Sequence, residues 1–387
     1  MFLRGFVQRP QQVWFRRALF QIHLWVGIGA GLYIFVVCTS GAALVFRPEI
    51  QRKLYPNLFY STNKAAPPAE IATAVEKIKS AYPDHSLLGL EGPAATHDTF
   101  LGYLEKDEKI SPVFANRETG EVLGVLPQDD WLRSVQDLHF YLLAGRTGLF
   151  VNGIGGLLLL LMCLTGLVIW WPGAMKWRRA FSVDFRKNWK RVIWELHSAT
   201  GIWSALLIAM FAVTGVYFAF PQYFRTAVNW FLPMTSAPRV VSKPSEGLQR
   251  LPDIRRFITT AEAALPDAKV TRVSLPNTDN GPFTVVMTRA DAAEFENTNY
   301  VYFYFDQFTG ELLHKWDRAG ETPGDVVMSW LAYLHVGSFG GVLIKAVWFL
   351  FGLTPPLLFL TGAVMWWNRV LKKDPSHPGV SLRSTHG

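Results

Sequence analysis

Four of the nine histidines occupy matched positions along the chain. His23 precedes the dipeptide Ser40-Gly41 by the same interval at which His197 precedes Thr214-Gly215. Imidazole is the commonest side-chain ligand for transition metals and haem iron. A pair of histidines at equivalent positions therefore suggests a shared metal centre.

A second pair follows the same rule with a longer interval. The interval from His139 to Thr165-Gly166 equals the interval from His335 to Thr361-Gly362. A single histidine at a membrane boundary is commonly structural, but two repeated pairs indicate a duplicated unit. In a bundle of helices related by a two-fold axis, equivalent positions face each other. Two facing imidazoles can ligate one haem iron from both sides.

These pairs predict two haem groups, with axial ligands His23 and His197 for one and His139 and His335 for the other. An iron with both axial sites filled carries electrons and has no open position for oxygen. Zinc is the main alternative. It favours ligands close in sequence, whereas the members of each pair lie in opposite halves of the chain and no HxxH motif occurs.

The elements that must position these histidines are long apolar stretches. Four of them reach the roughly 20 residues needed to cross a bilayer. We expect a membrane α-helical protein, a four-span bundle from a duplicated unit with two small α+β periplasmic modules. The predicted segments are 1–22 (cytoplasmic), 23–46 (span 1), 47–138 (module 1), 139–171 (interfacial segment and span 2), 172–196 (cytoplasmic loop), 197–220 (span 3), 221–334 (module 2), 335–367 (interfacial segment and span 4) and 368–387 (cytoplasmic).

Charge sets the predicted orientation. Residues 1–22, 172–196 and 368–387 hold fifteen Lys and Arg against three acids. Basic short loops mark the cytoplasmic side, so both termini are predicted to be cytoplasmic. The same residues are expected to contact anionic membrane lipid and require no nucleic acid.

The two outer segments have matching patterns. The first predicts a helix near 69–81, strands near 86–90, 99–104 and 113–116, and a turn at Glu118-Thr119-Gly120-Glu121. The second predicts a helix near 254–264, strands near 270–275, 284–288 and 300–305, and a turn at Phe308-Thr309-Gly310-Glu311. Such modules serve for packing and connection or for binding.

Composition excludes several classes. Half of the 387 residues are apolar and only 18% are charged, with a net charge of +8, which excludes a disordered chain or a coiled coil. The two cysteines, Cys38 and Cys163, exclude a disulfide framework and a CxxCH haem attachment.

Geometry suggests a break after His139. A continuous helix from His139 to Thr165 would span about 39 Å, more than the bilayer core, and 144–148 and 152–153 offer glycine breaks. The second pair is therefore expected on short interfacial helices at the outer face. Arg133, Arg146 and Lys345 are candidate partners for haem propionates or ordinary snorkelling residues.

Other side chains have weaker predicted roles. Gln21, Asp137, Glu195 and Tyr333 each stand two positions before a candidate ligand, and they could bond the second ring nitrogen, although this spacing points the wrong way along a helix. The aromatic residues of the second module either line a docking surface or belong to its core, and the core is favoured for the alternating strand 300–305. They are Tyr302, Tyr304, Trp316, Trp330 and Tyr333.

These motifs together resemble the PepSY-associated transmembrane proteins, and more narrowly the iron-regulated inner-membrane siderophore reductases of that family. The resemblance covers about residues 12–373. It rests on the 23–41 span, on Asp137-Leu138-His139, on the TGE turns, and on the spans in which a Thr-Gly dipeptide is followed by two tryptophans, Trp170-Trp171 and Trp366-Trp367. It implies PepSY-like periplasmic modules and a di-haem b protein that reduces Fe(III)-siderophore. It also implies haem ligation by His23, His139, His197 and His335.

Three alternatives stay open at this point. The chain is a haem carrier serving a quinone or another acceptor, a non-enzymatic binding or regulatory protein anchored by its spans, or a transporter. The last is disfavoured because the spans contain no charged relay. No flavin or nicotinamide motif occurs, so a quinol or a separate cytoplasmic reductase is expected to supply the electrons.

Overall fold

The computed structural model describes residues 13–61, 67–94, 97–127, 130–175, 177–235, 238–243, 253–289 and 299–370. Six of the fifteen basic residues in the predicted cytoplasmic segments lie outside the described residues. They are Arg4, Arg9, Lys176, Lys372, Lys373 and Arg383. The chain forms two compact units. The helical unit comprises Met1–Val45, Val135–Tyr223 and Leu331–Gly387, and the sheet unit comprises Phe46–Ser134 and Phe224–Trp330.

The elements have the following bounds in chain order. The α-helices are α1 Trp14–Gly29, α2 Gly31–Leu44, α3 Arg47–Leu54, α4 Pro56–Phe59, α5 Ile71–Ala81, α6 Trp131–Tyr141, α7 Gly145–Trp170, α8 Trp189–Ala219, α9 Pro221–Phe231, α10 Ile254–Ala264, α11 Pro323–Val336, α12 Gly341–Gly352 and α13 Thr354–Val370. The strands are β1 Ser86–Glu91, β2 Phe100–Lys106, β3 Lys109–Ala115, β4 Val122–Val125, β5 Ala268–Ser274, β6 Phe283–Arg289, β7 Tyr300–Phe305 and β8 Leu312–Asp317. Short 3-10 helices lie at Trp177–Phe181 and Arg318–Gly320.

The helical unit contains the apolar helices that fit a membrane. Among the described residues, α7, α8 and the α12–α13 pair are each long and apolar enough to cross one, and α1 with α2 makes a fourth if the bent pair counts as one span. The predicted span 23–46 falls on α1 and α2. Helix α1 begins at Trp14, and the two helices are bent by 63° between Gly29 and Gly31, where flanking glycines weaken the helix.

The break predicted after His139 is confirmed. Helix α6 ends at Tyr141, a turn follows in which Leu142 and Leu143 have positive φ, and α7 begins at Gly145 with φ 55°. The corresponding turn after His335 has Gly337 at φ 74° and Gly341 at φ 66°. The break lies before α7, and this helix is continuous through Asn152 and Gly153.

The sheet unit corrects the expectation of two separate modules. Its strands form one antiparallel eight-stranded sheet in the order β4-β3-β2-β1-β5-β6-β7-β8. The two predicted modules are joined through β1 and β5, where Leu90 pairs with Val273. Within each half the predicted helix and strands are confirmed, and the turn glycines Gly120 and Gly310 have φ of 69° and 75°.

One hydrophobic core unites both halves of this sheet. Val75 and Ile78 from α5 and Phe257 from α10 pack in the same cluster as the inward side chains of β1, β2, β6 and β7. Arg255 of α10 forms an ion pair with Glu76 of α5, so the two helices lie side by side. Burial of each large apolar side chain contributes about 1.5–3 kcal/mol.

The side chains of strand β7 alternate between the core and the opposite face of the sheet. Val301, Phe303 and Phe305 are buried, whereas Tyr302 and Tyr304 alternate with them and are only half-buried. Tyr302 packs on Trp316 of β8 at a ring-centroid distance of 5.3 Å. These aromatic side chains therefore form a row on the sheet face opposite the core.

Candidate metal-binding histidine pairs

His139 and His335 face each other within the helical unit. Their ring centroids are 6.2 Å apart, with an interplanar angle of 36°. His139 lies near the end of α6 and His335 near the end of α11. Phe218 of α8 packs edge-on against His335 at 5.3 Å, which gives the pair apolar surroundings.

His23 and His197 are the members of the other predicted pair. His23 lies on α1 and His197 on α8. Among the described residues, no group of three or more His, Cys, Asp or Glu side chains could hold a metal ion. Each centre therefore offers two imidazoles rather than the ligand set of a typical zinc site.

Three of the four rings bond to a threonine hydroxyl on another helix. Nδ1 lies 2.9 Å from Thr165 Oγ1 for His23, 2.9 Å from Thr361 Oγ1 for His197, and 2.8 Å from Thr214 Oγ1 for His335. Each threonine belongs to one of the repeated Thr-Gly dipeptides. The same contact thus recurs in both halves of the chain.

The proton positions follow from the other bonds of these hydroxyls. Thr165 donates to Leu161 O at 2.8 Å, and Thr361 donates to Leu357 O at 2.8 Å. Thr214 likewise donates to Met210 O at 2.7 Å. A hydroxyl has one proton, and it is used within the helix. The oxygen must therefore accept the hydrogen bond from the histidine Nδ1–H.

His139 reaches the same state by a different contact. Its Nδ1 lies 2.9 Å from Val37 O and 3.4 Å from Ser40 Oγ, and Ser40 itself donates to Val37 O. A carbonyl can only accept, so Nδ1 of His139 carries the proton. In all four neutral rings Nε2 then holds the lone pair, the form that binds a metal.

The glycine of each dipeptide lets the ring approach the opposite helix. A Cβ atom on Gly41 would lie 2.6 Å from His139 Cε1, and one on Gly166 would lie 3.3 Å from His23 Cε1. The corresponding distances are 3.4 Å for Gly362 to His197 and 3.7 Å for Gly215 to His335. The dipeptide therefore combines a hydrogen-bond acceptor with close approach of the ring.

Side chains from the spans hold the ends of the two short helices. Asn152 of α7 donates to the carbonyls of His139 and Phe140, and Tyr33 of α2 donates to Asn152 at 2.7 Å. In the second half Trp348 of α12 donates to Leu334 O at 2.6 Å. These bonds satisfy carbonyls that a helix end leaves without partners.

The candidate propionate partners occupy separate places. Arg133 is on α6 and donates to Ile110 O at 3.3 Å in the sheet unit. Arg146 is exposed at the start of α7, and Lys345 is half-buried near the start of α12. The assignment of these three residues to a cofactor stays a prediction.

The weaker prediction about ring partners does not hold for Glu195, which binds Lys187, Arg191 and the Asp184 amide. The partners of the rings are the hydroxyls of Ser40, Thr165, Thr214 and Thr361, which sequence reasoning used only as markers of the repeat. The signal that could have identified them was their recurrence at the same two intervals from the histidines in both halves of the chain.

The apolar helices and the paired histidines define a multi-pass membrane protein. The chain belongs to the family described as PepSY-associated TM region, whose match covers residues 20–369. No curated protein sequence matches this chain significantly.

Proposed function

We propose that this protein binds two haem b groups at its histidine pairs and passes electrons to Fe(III)-siderophore in the periplasm. The observation that carries the proposal is the state of the four rings, each with Nδ1 protonated and Nε2 available. If two imidazole nitrogens bond one metal at about 2 Å from opposite sides, their ring centroids lie roughly 6 Å apart. The 6.2 Å between His139 and His335 matches that arrangement.

The residues of each pair suit this cofactor. The histidines would act as axial ligands, and the hydroxyls and the Val37 carbonyl would fix ring orientation and raise ligand basicity. Aromatic neighbours such as Phe218 limit access of water to the His139–His335 pair. When bound, haem supplies one-electron chemistry between Fe(III) and Fe(II).

We further propose that the chain is a duplication, with both termini in the cytoplasm of a cell whose inner membrane it spans. The 23–197 pair then lies nearer the electron donor, a quinol or a cytoplasmic reductase. The 139–335 pair lies nearer the acceptor. One electron converts the chelated Fe(III) into Fe(II), which hard oxygen donors hold more weakly, and the metal is released with the chelator intact.

A docking face for the chelate is supported by the aromatic row of Tyr302, Tyr304 and Trp316. Trp316 also lines a cavity of about 240 Å³ together with Arg225 and Arg318. Arg318 lies over the Trp316 ring, with its Cζ 5.5 Å from the centroid. Flat aromatic or anionic chelate groups suit such a surface.

The test is an absorbance spectrum of the purified, dithionite-reduced protein, followed by anaerobic addition of Fe(III)-siderophore. We expect two haems per chain, with reduced bands that fade on addition. His23→Ala or His197→Ala should remove one centre, and His139→Ala or His335→Ala the other. A protein without haem from cells supplied with porphyrin would contradict the proposal and favour a non-enzymatic membrane protein. Normal spectra without reoxidation would indicate another acceptor.

A further inference from the structure

Two buried N–H groups in the helical unit have no hydrogen-bond partner within the described part of the chain. They are Arg16 Nε and Trp171 Nε1. No other side-chain nitrogen or oxygen in the described residues of this unit is buried without a partner. A buried donor without an acceptor is costly, and a charged one more so. A pair of them therefore requires an explanation.

Both groups lie at the same end of helix α7. Arg16 of α1 donates from Nη2 to Ile169 O at 2.5 Å, in the last turn of α7, and Trp171 directly follows that helix. The neighbouring Trp170 has its indole nitrogen bonded to Ala180 O at 3.3 Å. Trp171 Nε1 and Arg16 Nε are thus the buried nitrogens without a partner at this end of α7 among the described residues.

Arg16 shares a helix face with a candidate metal ligand. It precedes His23 by about two helical turns, or about 10.5 Å along α1. Both side chains contact α7, His23 through Thr165 and Arg16 through Ile169. An anionic group on a ligand held at His23 could reach Arg16 along this face.

We propose that Arg16, assisted by Trp171, binds a propionate carboxylate of the haem held by His23 and His197. This inference rests on the proposed function. The free Nε–H of the guanidinium gives a charge-assisted hydrogen bond to a carboxylate oxygen, and the indole N–H gives a neutral one to the other oxygen. A lipid headgroup phosphate offers similar anionic oxygens, so the experiment must separate the two sources.

In the second half of the chain, the described residue at the position that matches Arg16 is not a buried donor. The offset that relates His23 to His197 relates Arg16 to Lys190, which is exposed and lies near the ring of Trp189. The carboxylate is therefore held on the α1–α7 side of the centre. Arg17 is exposed on the same helix as Arg16 and serves as the charge-matched control.

The experiment measures the transfer of haem from the holoprotein to an excess of apomyoglobin, in the His335→Ala background that keeps only the His23–His197 centre. Arg16→Gln should release haem at least tenfold faster than Arg17→Gln or Lys190→Gln. Trp171→Phe should give a smaller increase, and Trp170→Phe none. Haem dimethyl ester lacks free carboxylates. The protein that retains Arg16 should lose this ester about as fast as the Arg16→Gln variant loses haem.

The ester identifies the anion through non-additivity. In Arg16→Gln the ester and the free acid should leave at the same rate. The inference is wrong if Arg16→Gln speeds the loss of haem and the loss of its ester by the same factor relative to the unsubstituted protein. It is also wrong if Arg16→Gln behaves as Arg17→Gln does. An effect of Arg16 that appears only in anionic lipid would assign the site to a headgroup and also overturn it.

Folding failure does not remove the test. If Arg16→Gln does not fold, Trp171→Phe against Trp170→Phe carries the comparison, again with haem and its ester. Absence of haem from the unsubstituted protein would overturn the proposed function itself. Two bound haems with no special effect of Arg16 would overturn only this inference.

Discussion

Four hydrogen bonds decide which nitrogen of each histidine is available. In three rings the acceptor is a threonine hydroxyl whose own proton bonds within its helix, and in His139 it is the Val37 carbonyl. Acceptors at Nδ1 increase electron density on the ring and favour the higher oxidation state of a bound metal. The acceptors are therefore expected to set redox potential as well as ring orientation.

Thr214→Val tests this effect at a single residue. The substitution removes the acceptor of His335 Nδ1–H while keeping the side chain's shape. The net contribution of a hydrogen bond, about 0.5–1.5 kcal/mol, is the upper limit of its difference between the two oxidation states, so we expect the potential of the His139–His335 centre to rise by up to roughly 60 mV for one electron. A spectroscopic redox titration of both centres measures it.

Thr214→Ser retains a hydroxyl and should restore the original potential. Thr354→Val is the matched control, because the Thr354 hydroxyl, at the start of α13, bonds among the contacts described only to Phe351 O in the last turn of α12. An unchanged potential in Thr214→Val, with haem retained, would show that the hydroxyl does not tune the metal.

At this scale the sequence predicted the four histidines and their pairing but not their hydroxyl partners. The repeated interval relates His23 to Ser40 on the same span, whereas the structure bonds His23 to Thr165, 142 positions away. His139 in turn contacts Ser40. The packing of two helices decides which of their residues lie side by side. No pattern in a single sequence indicates this packing.

The helices that carry the histidines show where local patterns succeed and fail. The sequence predicted the turn between α6 and α7, because one straight helix over this segment would be longer than the bilayer core. The 63° bend between α1 and α2 did not, because glycines within an apolar span serve equally for close packing. Gly31 indeed packs tightly against the Phe359 ring.

Helix α11, which carries His335, is anchored at its start by Asp325. The Asp325 carboxylate accepts hydrogen bonds from Thr322 Oγ1 at 2.6 Å, from Thr322 N and from Thr235 N. Burial alone would raise its pKa, but the bonds from Thr322 and Thr235 outweigh burial and lower the pKa below the usual 3.8. The carboxylate thus stabilises the folded state only when it is ionised.

Asp325→Asn should destabilise the protein at neutral pH by about 1–2 kcal/mol, since bonds to a charged acceptor become neutral ones. Because the folded pKa is the lower one, this stabilisation is complete above about pH 4–5 and is lost as pH falls through the folded pKa. Thermal unfolding followed by tryptophan fluorescence from pH 7 down to pH 3 should show the two proteins converging at the acid end.

Asp267→Asn, which changes an exposed carboxylate, is the control and should leave the unfolding temperature unchanged at every pH. A constant difference between Asp325→Asn and the unsubstituted protein down to pH 3 would contradict the anchoring role of the charge.

At the scale of the whole molecule, the matching patterns of the two halves were easier to predict than the way the halves combine. Matching patterns indicated two sheet modules, but the joint between β1 and β5 gives no local signal, since any exposed strand edge can pair. Gly89 makes close contact possible there, because a Cβ atom at this position would lie 2.8 Å from Val273 O. The sheet unit is consequently one domain with one core.

The proposed electron path requires both histidine pairs in series, which vesicles can test. Dithionite is enclosed in proteoliposomes, Fe(III)-siderophore is added outside, and external Fe(II) is trapped with ferrozine. One electron crosses for each Fe(II) formed.

We expect His197→Ala and His139→Ala each to lower the rate of Fe(II) formation at least tenfold, because electron transfer slows steeply when either centre is missing. His85→Ala, in the sheet unit and outside both pairs, should retain the rate. Vesicles with His197→Ala that reduce external iron as fast as the unsubstituted protein would show that the His23–His197 pair is not part of the path.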